Sequence, residues 1–90
     1  MYKIVGVQRS SGEYNGMKYD NYRVHMLTSN DSCVGQQCVI EKVSINDMTN
    51  ILNGLCSVKK KDVCSIDDLI NMQVNTIMYN KYGKAVNFMW

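Results

Sequence analysis
Apolar and polar residues alternate with a period of two over much of this chain, which is the pattern of half-buried β-strands. Tyr2 to Gln8, rich in Ile and Val, predicts a first strand. Met17 to Thr28 predicts a second, with Tyr22, Val24 and Met26 on one face and Asn21, Arg23 and His25 on the other. Val34 to Val43 predicts a third, and Met72 to Tyr79 and Ala85 to Met89 a closing pair. Between these runs lie turn-forming clusters. Ser10 to Gly16 predicts a loop whose Asn15-Gly16 favours positive φ and a hairpin reversal. Ser29-Asn30-Asp31-Ser32 predicts another turn, and Asn80-Lys81-Tyr82-Gly83-Lys84 a hairpin tip with its glycine where positive φ is wanted.

The alternation breaks in the middle. Ser44-Ile45-Asn46-Asp47 places a hydroxyl three residues ahead of an acid, a helix-starting signal, and Asn53-Gly54 predicts an early stop. Ser65-Ile66-Asp67-Asp68 repeats the signal for about one further turn. Lys59-Lys60-Lys61-Asp62 between them predicts an exposed loop. Five strands with one or two short helical segments in 90 residues make a mainly β chain, a single domain over 1–90, closed or nearly closed into a small barrel.

Composition narrows the setting. No apolar run approaches the ~20 residues needed to span a bilayer. The opening strand meets Gln8-Arg9 too soon for a signal peptide, so a cytoplasmic protein without a membrane partner is expected. Four cysteines are present, with four residues between Cys33 and Cys38 and seven between Cys56 and Cys64. Neither spacing suits a zinc knuckle or ribbon, so four reduced, mostly buried thiols and no metal are expected. His25 stands without a second imidazole or a motif-level Ser or Cys, and no Gly-rich loop precedes a helix. Asp67-Asp68 sits in a first helical turn, where acids complement the helix dipole. No enzyme and no cofactor is expected.

Ten Lys and Arg against eight Asp and Glu give a net charge of +2, too small to identify an anionic partner by itself. The placement of the bases says more. Arg9, Tyr14, Lys18, Tyr19, Tyr22 and Arg23 interleave cations and rings around the first hairpin, and Tyr79, Lys81, Tyr82 and Lys84 do so around the last. Single-stranded nucleic acid calls for this mixture, because cations neutralise phosphates and flat rings stack on unpaired bases. A tyrosine at a hairpin tip, as Tyr82 is expected to be, stays in water unless a ligand or another subunit covers it. Strand tyrosines such as Tyr22 and Tyr79 can equally be packing residues on the pleat.

Three stretches resemble the helix-destabilising single-stranded DNA-binding proteins of filamentous phages and their relatives in Gram-positive mobile elements. They are Tyr2-Lys3-Ile4-Val5-Gly6-Val7-Gln8, Gly16-Met17-Lys18-Tyr19-Asp20-Asn21-Tyr22 and Asn80-Lys81-Tyr82-Gly83-Lys84. The resemblance implies a five-stranded OB-like barrel, a homodimer and a role in DNA replication. It implies a DNA-contacting loop aromatic at Tyr19 beside Lys18, and a base-stacking aromatic-glycine pair at Tyr82-Gly83. The expected function is non-catalytic, largely sequence-independent binding of single-stranded DNA, with RNA left open, through Arg9, Lys18, Tyr19, Tyr22, Arg23, Lys81, Tyr82 and Lys84. The alternative is a small phage or plasmid accessory protein that grips a host protein through the same exposed tyrosines. Ile77, Phe88 and Trp90, expected at an exposed apolar edge, are the sequence's own argument for a dimer.

Overall fold
Asn15 and Gly16 both take positive φ, 51° and 76°, the signature of the two-residue turn whose twist matches that of paired strands. The computed structural model, which describes residues 1–29, 32 and 34–90, builds its longest feature around that turn. Strand β1 (Tyr2–Tyr14) runs antiparallel to β2 (Met17–Ser29), from Tyr14 opposite Met17 to Tyr2 opposite Thr28. The loop expected from Ser10 is therefore strand up to Tyr14. A two-residue turn consumes only Asn15 and Gly16, so every residue before it can pair.

Register then decides what is buried. A bulge between Ile4 and Gly6 leaves Val5 without a partner. It switches the phase of the alternation, so that Ile4 opposes Met26 while Val7 opposes Val24, all four on the inner face. Ile4, Val24 and Met26 are fully buried there, and Tyr2, Val7 and Tyr22 pack against them. Strand β3 (Gln36–Ser44) pairs with the other edge of β2 and adds buried Val43. It starts two residues later than the Val34 expected; Asn30 and Asp31 of the expected turn before it lie outside the described residues.

Helix α1 (Ile45–Lys59) follows directly. The Ser44 hydroxyl accepts from the Asp47 amide at 3.1 Å and caps the first turn, as the sequence predicts. The expected stop at Asn53-Gly54 does not occur. Met48, Ile51 and Leu55 form a buried row spaced for one helix face, and burying Leu55 requires the helix to continue. It ends instead at Lys60, whose φ of 56° gives the left-handed cap and whose N–H donates to the Cys56 carbonyl. After it come a 3₁₀ turn (Ile66–Leu69), then β4 (Gln73–Val74), β5 (Thr76–Tyr79) and β6 (Ala85–Met89).

The single strand expected over Met72–Tyr79 is two. Val74 pairs with Tyr2 in the first sheet, whereas Thr76 pairs with Met89 in a separate ribbon. Asn75 is the pivot, its amide donating to the Met89 carbonyl at 2.7 Å. The described strands thus form a curled four-stranded sheet, ordered β3-β2-β1-β4, and a two-stranded ribbon β5-β6. The mainly β expectation holds. The closed five-stranded barrel does not appear, because the ribbon splits from the sheet at Asn75 and leaves a half-barrel.

The ribbon's apolar residues complete the core under α1. Phe88 meets Trp90 edge to face at 5.8 Å between ring centroids. Ile77 is 8% exposed and Phe88 2%, and Trp90 is half-buried. The exposed apolar edge expected of these three is instead the inside of the chain, and it supplies no argument for a dimer. The expectation for the cysteines also changes: Cys64 is buried and Cys56 half-buried, but Cys38 is exposed, and Cys33 lies outside the described residues.

A continuous α1 makes a specific demand on Gly54. A methyl group added there would meet only Trp90 Nε1, at an ordinary 3.7 Å. Gly54→Ala should therefore stabilise the protein by about 0.5–1 kcal/mol, because glycine within a helix costs backbone entropy. Urea unfolding that showed a loss of stability would instead mark Gly54 as a positive-φ helix terminus.

Candidate nucleic-acid interface
The alternation that buries one face of β1, β2 and β3 turns the other outward. On β2 the outward residues are Tyr19, Asn21, Arg23 and His25. The register sets Gly12 opposite Tyr19, Ser10 opposite Asn21 and Gln8 opposite Arg23 on one side. On the other side it sets Lys42 opposite Arg23. Ser10, Tyr19, Asn21, Arg23 and Lys42 line one shallow groove of about 250 Å³. No carboxylate lines it. Glu41, next to Lys42 in sequence, points to the other face of β3, where it accepts a 2.8 Å hydrogen bond from the Tyr79 hydroxyl.

Two cations directly across a sheet repel one another and cost stability. Arg23 and Lys42 are such a pair, both exposed. No salt bridge engages either among the described residues. Both line the same groove as Tyr19, which is 45% exposed. Lys42 is the residue that sequence reasoning missed. Its alternation within β3 is readable, but its place opposite Arg23 depends on the register between β2 and β3, for which the sequence carries no local signal.

The other expected site residues divide. Arg9 points to the inner face, where its Nε and Nη2 donate to both oxygens of Asp20, at 3.0 and 2.6 Å. That forked bond draws the Asp20 carboxyl below its ordinary range and occupies Arg9. Tyr22 is half-buried against the core. Lys18 stands opposite Glu13 near the hairpin end. With Ser11, Gly12, Tyr19 and Asp20 these two line a larger groove of about 470 Å³, whose two acids disfavour phosphate.

Lys81, Tyr82 and Lys84 occupy the tip of the β5–β6 hairpin, exposed as expected. The tip is well built. The Asn80 side-chain oxygen accepts from the amides of Tyr82 (2.9 Å) and Lys84 (3.0 Å), and Gly83 takes a φ of 77°. Lys81 Nζ lies 5.1 Å from the centre of the Tyr82 ring. Tyr82 is 74% exposed. Tyr19 and Tyr82 belong to different hairpins of different sheets, and no ring contact joins them. Tyr79 at the base of the second hairpin is 48% exposed, with its hydroxyl tied to Glu41; desolvation and that hydrogen bond push its phenol up to about 12.

The lysine run is partly spent elsewhere. Lys59 ends α1, and Lys61 Nζ donates to Asp68 at 2.8 Å, with Lys59 Nζ 3.9 Å from the same oxygen. Asp68 also accepts from the Ser65 amide at 2.8 Å, the second helix-starting signal read in the sequence. Among the described residues no three His, Cys, Asp or Glu side chains gather as metal ligands, and no helix is long and apolar enough to cross a membrane.

No family model, curated protein or solved structure matches this chain.

The Lys61 hydrogen bond, then the Ser65 amide, hold the Asp68 carboxyl down at about 2. A carboxyl lowered on folding stabilises the protein above its unfolded pKa and loses that contribution as pH falls through the folded one. Wild type should therefore exceed Asp68→Asn in stability at neutral pH, and the gap should close between about pH 4 and pH 2. Urea midpoints measured across that range check this; a gap that persisted at pH 2 would show that Asp68 acts through something other than its charge.

Proposed function
We propose that this protein binds single-stranded nucleic acid, DNA by preference, without catalysis and largely without regard to sequence, as a cytoplasmic helix-destabilising protein of a phage or mobile element would during replication. The observation that carries this reading is the Arg23–Lys42 pair: two unneutralised cations stand side by side on adjacent strands and line a groove with no acid, which a half-exposed tyrosine also lines. A bound phosphate removes their mutual repulsion and takes a charge-assisted bond from each. Tyr19 offers a ring face to a base next to that phosphate. Ser10 and Asn21 line the same groove and supply hydroxyl and amide groups that any base or sugar can use. Lys81, Tyr82 and Lys84 form a second, separate anchor of the same chemistry. The chain's small net charge fits a binder whose bases are concentrated locally.

Stacking and charge neutralisation make different demands, so two substitutions separate them. Oligo-dT should quench tyrosine emission. Tyr19→Ala should cost about 1–3 kcal/mol, roughly ten- to a hundredfold in affinity, whatever the base sequence. Lys42→Ala should weaken binding and also flatten the plot of log affinity against log salt by about 0.7, the value for one lost phosphate contact on a single strand. A wild-type chain that bound no single-stranded oligonucleotide at about 50 mM salt, where electrostatic binding is favoured, would end this reading. A host-protein partner gripped by the tyrosines would then be the reading to pursue.

A further inference from the structure
Gly12 sits within β1, two residues from its hairpin end, where a glycine weakens a strand and offers nothing to pack. Its backbone is in the ordinary extended region rather than at positive φ, so conformational freedom does not explain it. Space does. A Cβ built on Gly12 would lie 2.6 Å from the Tyr19 hydroxyl oxygen, 2.8 Å from Cζ and 3.1 Å from Cε1. Tyr19 is the residue directly across the pair. Its ring therefore lies over the bare backbone of Gly12 and leaves its other side to solvent, in keeping with its 45% exposure.

We infer that Gly12 is a positioning residue for the Tyr19 ring: by lacking a side chain it lets the ring lie down on β1, beside the Arg23–Lys42 groove, with one face presented to a base. The inference rests on the proposed binding of single-stranded nucleic acid at this groove. Two of its consequences follow from what the missing methyl touches. Any side chain at position 12 must displace the ring, because the phenol oxygen and two ring carbons stand within 3.1 Å of its Cβ. The displacement costs the fold little, because the ring is the exposed, movable end of a side chain rather than backbone or core. The Arg23–Lys42 pair, four residues further along the sheet, is untouched.

Gly12→Ala should thus reduce oligo-dT affinity about tenfold, the scale of losing one stacked base, while melting like wild type. The slope of log affinity against log salt should stay at its wild-type value, because no phosphate contact is removed. The ring protons of Tyr19 should shift in the unliganded protein. In a Tyr19→Ala background the same Gly12→Ala change should have no further effect on affinity. Wild-type affinity in Gly12→Ala, or an equal loss in both backgrounds, would overturn the inference and leave binding at the groove standing. No oligo-dT binding by the wild-type chain would overturn the proposed function, and this inference with it.

Discussion
The antiparallel register of β1 on β2, set at one end by the Asn15-Gly16 turn and reset at the other by the bulge at Val5, is the constraint on which the remaining structure depends. A slip of β2 by one residue would exchange its two faces. Val24 and Met26 would leave the core, and Tyr19, Asn21 and Arg23 would leave the surface. The bulge is the device that makes Ile4 and Val7 compatible, since residues three apart in an uninterrupted strand face opposite ways. The Arg9–Asp20 pair adds a forked cross-strand bond on the inner side of the hairpin, beyond the reach of the core. It is exposed, and pairs of that kind contribute little to global stability. Its effect is local: it occupies the Arg9 cation on the inner side of the sheet.

From that register the distribution of charge follows. Along the described part of β3, Val39, Glu41 and Val43 turn inward while Ile40 and Lys42 turn outward, so pairing with β2 brings Lys42 to Arg23. Folding gains nothing from this juxtaposition and loses something to repulsion. Local conflicts with good strand design tend to mark places where function sets the sequence. Gly12 is a second such conflict on the same face, and Tyr19 links the two. By contrast, the charges around Asp68 obey ordinary rules, since one carboxylate satisfies two lysines and a backbone amide. The lysine run that looks conspicuous in the sequence is in large part a structural lock between the end of α1 and the following 3₁₀ turn.

How much of this could be read from the sequence depended on whether the signal was local. The Asn15-Gly16 reversal, the cap at Ser44, the one-turn segment after Ser65 and the Gly83 hairpin tip all rest on residues adjacent in the chain, and all appear where expected. Helix α1 outran its expected end because Asn53-Gly54 is a local stop, and burial of Leu55 outweighs it. The division of Met72–Tyr79 between two sheets had no local signal, since both halves alternate equally well and the pivot at Asn75 depends on distant Met89. Ile77, Phe88 and Trp90 were misplaced for the same reason: a hydrophobic strand near the end of a chain does not announce whether α1 will cover it. In the site, Arg23 was legible from the alternation of β2, and Tyr19 from the mixture of cations and rings around the first hairpin. Lys42 was not, since only the register between β2 and β3 brings it to Arg23, and nothing local shows that Arg9 bonds Asp20 on the other side of the sheet.

The central claim is that the outer face of β1, β2 and β3 is the binding face, and mapping amide shifts while titrating oligo-dT into labelled protein tests it most directly. The account predicts that shifts centre on Gly12, Tyr19, Asn21, Arg23 and Lys42, with a second cluster at Lys81 to Lys84. Arg9, Tyr22 and the Asp68 region should stay near their free positions. Shifts centred instead on Arg9, Asp20 and Tyr22, across the sheet from the groove, would contradict it.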